Sequence, residues 1–157
     1  MAACQAYAMA GSAVFVGLVA MSIVSITGRK LLASPVPGDV EVLQMLAAVA
    51  AASFFGYCHL IGGDVKVDFF TASASSRVVH GLDTLGSLLV ALTGALLAWR
   101  TGAGALVVKE AGESSMILDW PLWLPQMAIV PGFVLMALAG LSQAGMHWKA
   151  MRAGSLT

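Results

Sequence analysis

Arg77, His80 and Asp83 stand three residues apart, so on a helix they share one face. A guanidinium, an imidazole and a carboxylate on one face suit two kinds of chemistry. They form an interfacial salt-bridge cluster that anchors a helix or docks a partner, or they relay protons and hold a polar solute. His59 and His80 make a second pairing. Both fall at the ends of neighbouring predicted helices on the same membrane side, where two imidazoles could ligate a haem from its two faces. Against that, both positions are near the surface, and water can satisfy each ring. Cys4 and Cys58 lie in different apolar segments with no metal-ligand or redox spacing, and read as small packing residues. No phosphate-cradling glycine loop, nucleophile elbow or zinc pattern is present. The residue types therefore point away from an enzyme, and no catalytic, cofactor or metal site is expected in the chain.

The elements that carry these residues follow from composition. Of 157 residues, 59% are hydrophobic and only 10% charged, against roughly 25% charged in soluble domains. A soluble fold of this size could not cover so much apolar surface, whereas lipid does not penalise it. Eight basic residues balance eight acidic ones, and no basic stripe suggests nucleic acid. The fold class is an all-α membrane protein with four transmembrane helices, at about residues 6–27, 39–60, 77–99 and 120–143, in one domain spanning 1–157.

Residues 1–28 carry no charge, and Arg29 and Lys30 close the first helix where basic side chains reach water. The run is too long for a signal-peptide core and has no basic residue before it. Ser34-Pro35-Val36-Pro37-Gly38 breaks the chain. Asp39 then occupies a helix N-cap position, with Glu41 in the first turn, where the helix dipole favours negative charge. After the second helix comes a charged island, Asp64-Val65-Lys66-Val67-Asp68-Phe69-Phe70. Its alternating charges cannot sit in hydrocarbon and its phenylalanines avoid water, so it reads as a short interfacial segment. Arg77 opens the third helix, Asp83 is its one internal charge, and Arg100 closes it. Residues 101–119 read as the longest loop, with Asp119 capping the fourth helix, Pro121 in its first turn and Pro131 kinking it. Trp99, Trp120 and Trp123 flank that loop, and Tyr7, Tyr57 and Trp148 mark the opposite membrane face.

Small residues recur at helical spacing on every helix: Ala10, Ala13, Gly17 and Ala20; Ala48, Ala52 and Gly56; Thr84, Ser87, Ala91, Gly94 and Ala98; Ala128, Gly132, Gly140 and Ala144. Such stripes let helices approach closely in lipid. A transporter acting alone should place polar groups or broken helices near mid-membrane. These helix centres are bare, which indicates an accessory subunit. Orientation is a tie: Lys66, Arg77, Lys149 and Arg152 face one side, and Arg29, Lys30, Arg100 and Lys109 the other.

Four stretches resemble one family, in the same order along the chain. These are Gly28-Arg29-Lys30 followed by Pro37-Gly38-Asp39-Val40-Glu41; Gly63-Asp64-Val65-Lys66-Val67-Asp68; Arg77 with Leu82-Asp83; and Ser114-Ser115 through Trp120-Pro121-Leu122-Trp123. Together they resemble the small membrane subunit, DctQ-like, of tripartite ATP-independent periplasmic (TRAP) transporters, over about residues 12–145. Asp64 stands where the family commonly has His. The resemblance implies a bacterial inner-membrane protein with both termini cytoplasmic, a large DctM-like membrane partner and a periplasmic substrate-binding protein. Sodium-driven uptake of an organic acid or similar solute would then use a sodium site in the partner, this chain acting as scaffold among membrane lipid. Arg29, Asp39, Glu41, Asp64, Asp68, Arg77 and Asp83 are the expected interface or structural residues. The alternative reading is a haem- or quinone-associated anchor of a respiratory complex that uses His59 and His80.

Overall fold

A computed structural model describes residues 1–32, 36–64 and 76–153; 86% of these residues are helical and none is in a strand. The four helices are α1 (Ala2–Leu32), α2 (Asp39–Leu60), α3 (Ser76–Ala111) and α4 (Trp123–Ala153). Each is long and apolar enough to cross a membrane. The interfacial segment expected after Asp64, with Asp68 in it, lies outside the described residues.

The helices stand in the order α1, α2, α4, α3. α3 and α4 make the largest contact, α4 also packs on α2, and α2 packs on α1. α1 barely reaches α4, and α2 and α3 have no Cα atoms within 8 Å of each other. The result is an open row, not a closed bundle. Only 17–22% of the most apolar stretch of each helix is buried inside it. Large side chains such as Val16, Leu92 and Trp99 point outward, each more than 60% exposed. In water this would be untenable; in a bilayer these faces meet lipid or a partner.

Small residues form the seams. A Cβ on Gly132 would lie 2.5 Å from the Ala52 carbonyl oxygen, and one on Gly56 would lie 3.0 Å from the Leu135 backbone. On the other side of α4, a Cβ on Gly140 would meet the Ala91 nitrogen at 2.7 Å, and one on Gly94 would meet the Ala137 nitrogen at 2.8 Å. Phe55 stacks on Phe133 beside the α2–α4 seam, ring centroids 6.3 Å apart. The α3 stripe is thus a contact face at Ser87, Ala91 and Gly94. The expected α1 stripe is not: Ala10, Ala13, Gly17 and Ala20 are exposed. α1 instead buries Cys4, Ala8, Gly11, Leu18 and Ser25. Steps of four, three, seven and seven follow a 3.5-residue seam, and small size alone did not reveal it.

Several helix ends differ from the sequence reading: α1 runs on to Leu32, past Arg29 and Lys30, and α4 runs ten residues past Gln143 to Ala153. α3 does not stop at Arg100 but continues eleven residues to Ala111, at a length of about 54 Å at 1.5 Å per residue. The glycines at 102 and 104 each disfavour helix by about 1 kcal/mol. Tertiary contacts compensate: Ala105 is buried, and the Lys109 ammonium sits 4.8 Å from the Trp123 ring centroid. Trp99 therefore lies inside α3 and not at its end. α4 starts at Trp123, and Asp119 is not its cap. Asp119 has a left-handed backbone (φ 56°) and accepts the Ser114 hydroxyl in a tight turn. That turn is closed by Ser115 N–H to Trp120 O (2.8 Å) and Leu122 N–H to Glu113 O (3.1 Å).

Candidate functional site

Polar groups gather near the helix ends in three clusters. The first surrounds the start of α2. Gly38, with φ 74°, holds the N-cap position expected for Asp39, so Asp39 is the first helical residue. Its carboxylate turns to α1, where it accepts the buried Ser25 hydroxyl and pairs with Arg29 Nη2 at 3.4 Å. Glu41 turns the other way. It accepts the backbone N–H groups of Ile117 (3.0 Å) and Leu118 (3.2 Å), and the buried Ser115 hydroxyl is a further partner. The Leu118 side chain lies over Gly38, where a Cβ would come within 2.6 Å of it. Two neighbouring acids thus fasten α1 and the α3–α4 turn to the same helix end. The dipole argument foresaw negative charge here but not these partners, which are up to 77 residues away.

The second cluster closes α2. His59 Nδ1 pairs with Asp64. The Gln143 amide donates to the carbonyls of His59 (3.2 Å) and Leu60 (2.9 Å), satisfying helix-end acceptors. His59 Nε2 is buried without a hydrogen-bond partner among the described residues.

The third cluster joins α3 to α4. His80 and Asp83 face His147, with His147 Nδ1 3.7 Å from Asp83 Oδ2. The rings of His80 and His147 are 6.0 Å apart and tilted by 33°. His80 Nδ1 is buried with no hydrogen-bond partner among the described residues. Potential ligand atoms of all three residues lie within 4.8 Å of one another. Arg77, expected on this face, is exposed at the start of α3. His147 is not among the sequence-based candidates because it lies 64 residues beyond Asp83 and past the expected helix end at about 143, whereas α4 continues to Ala153. The signal was the chain ends: His80 is early in α3 and His147 late in α4, so an antiparallel pair brings them together.

His59 and His80 do not sit on adjacent helices, since α4 stands between α2 and α3. One ring meets Asp64 and the other His147. Between α2 and the start of α4 lies an apolar groove of about 350 Å³, lined by residues such as Met45, Val49, Trp120 and Leu124, with no charged side chain.

Residues 9–150 match the DctQ family, described as the DctQ component of tripartite ATP-independent periplasmic transporters. The chain belongs to the DctQ family. It is thus a multi-pass membrane protein of a transporter family, and that family is not an enzyme class. No curated protein matches the chain. Two of the features on which the resemblance rested are in contact in this DctQ fold: the acids that open α2, and the serine-to-tryptophan turn before α4.

Proposed function

We propose that this DctQ-family chain is the accessory small permease subunit of a TRAP-type secondary transporter. It scaffolds a large DctM-like membrane subunit in the bacterial inner membrane, with both termini cytoplasmic. The large subunit takes up an organic acid or similar solute, delivered by a periplasmic binding protein and driven by sodium. Solute and sodium bind in the partners, and no cofactor of transport resides in this chain.

The observation that carries this reading is the open row of helices. Each outer helix has one main neighbour, and broad apolar faces are left uncovered. The groove between α2 and α4 is wholly apolar and offers nothing to a charged solute. An open row of helices with polar clusters at the helix ends suits a wall against which another membrane domain moves. Arg29, Asp39, Glu41, Asp64, Asp68, Arg77 and Asp83 hold helix ends or meet the large subunit.

The test is extraction from native membranes in mild detergent, followed by pull-down on a C-terminal tag. The expected result is a large, very hydrophobic permease and no Soret band in the visible spectrum. Redox subunits with a Soret band would overturn the reading. Charge reversal at Asp83 should weaken the co-purification. If assembly and uptake survive reversal at Asp39, Glu41, Arg77 and Asp83 alike, the role assigned to those residues is wrong.

A further inference from the structure

Beyond Gln143, which caps the end of α2, α4 continues to Ala153 with α3 alongside. His80, Asp83 and His147 lie in this projecting part. We propose that these three side chains bind a divalent transition-metal ion, with zinc the best match, and that the ion ties the ends of α3 and α4 together. This inference is independent of the transport reading, and it departs from the sequence-based expectation that the chain binds no metal.

Geometry is the first support. A tetrahedral zinc with bonds of about 2.0–2.1 Å spaces its ligand atoms about 3.3 Å apart. Asp83 Oδ2 and His147 Nδ1 are 3.7 Å apart, and the whole group falls within 4.8 Å. Small side-chain rotations close that difference, because the backbones are already placed. His80 and Asp83 are one turn apart on α3, and the tight contact of Gly140 with Ala91 fixes α4 two turns from His147.

The second support is an unmet need. His80 Nδ1 is buried with no hydrogen-bond partner among the described residues, and a buried polar nitrogen without one carries a desolvation penalty. A metal ion ligated at Nδ1 of this ring meets the need directly. The third support is the donor set. Two imidazoles and one carboxylate suit zinc and its first-row neighbours; calcium and magnesium prefer six or more oxygens. The side chains of Asp83 and His147 are each 23% exposed, which leaves a route for the ion and a place for water as fourth ligand.

The test uses the chain purified on a tag without histidines, stripped with chelator and titrated with zinc chloride alone. Calorimetry should find one zinc per chain, with a raised unfolding temperature. His80→Ala and His147→Gln should each weaken binding more than about 100-fold, beyond the 10–100-fold effect of outer-shell changes. His59→Ala, which alters the other buried imidazole, should leave it intact. Cobalt(II) added to the unaltered chain should give the strong visible bands of a four-coordinate site, a readout that does not depend on whether a variant folds. Absence of those bands, no stoichiometric zinc, or equal binding by the His80 and His147 variants would each overturn the proposal.

Discussion

Asp39 and Glu41 are two residues apart and do different things. Asp39 gathers Ser25 and Arg29 from α1, while Glu41 receives the amides of Ile117 and Leu118 from the turn before α4. Charge-assisted bonds to backbone N–H groups hold a turn in one geometry. Glu41→Ala should therefore speed amide hydrogen exchange at Ile117 and Leu118. Glu41→Gln, which keeps one acceptor oxygen, should do so less. Unchanged exchange in the alanine variant would mean that the turn holds itself. Gly38 is the other sensitive position here. Its φ of 74° is left-handed, and Leu118 occupies the space of a Cβ. Gly38→Ala should cost at least the roughly 1–2 kcal/mol of a left-handed non-glycine residue, seen as a lower unfolding temperature in detergent.

At the scale of the helix, glycine position separates contact from open face. Gly140 is pressed on Ala91, whereas Gly86 has nothing within 4 Å of a Cβ. Gly140→Ala should destabilise by about 1–3 kcal/mol, the usual cost of overpacking. Gly86→Ala should be neutral or slightly stabilising, by up to about 1 kcal/mol. Similar unfolding temperatures for the two variants would contradict the seam. The same scale explains the misread end of α3. Glycines and charges after Arg100 suggest a loop by local preference, but Ala105 and Lys109 pack on α4 and keep the helix going. Local propensity is a weak force where a long neighbour offers contacts.

For the whole molecule, the order of helices is the informative feature. After replacement of Cys4 and Cys58 by serine, the pair Phe55→Cys with Phe133→Cys should join readily through a short bifunctional maleimide. Phe55→Cys with Leu89→Cys, on α2 and α3, should not, because α4 intervenes. Efficient linkage of the second pair within one chain would exclude the open row. This order leaves most of the apolar surface of every helix uncovered by the chain itself.

Four apolar runs follow from amino-acid type, because hydrocarbon excludes charge and open backbone whatever the neighbours are; the end of α3 did not, since its last eleven residues carry loop-like glycines and charges. The small-residue stripe of α3 was legible for the same local reason, and the DctQ resemblance rode on polar residues at the helix ends. The tertiary structure decided which helices touch, which α1 face is buried, and which partners Glu41 and Asp83 meet. Lipid supplies no hydrophobic drive to choose among apolar faces. The choice falls to fine shape, such as Gly132 against Ala52, and to polar contacts between residues far apart in the chain. Neither leaves a periodic trace in one sequence, which is why His147 was overlooked until α4 brought it beside His80.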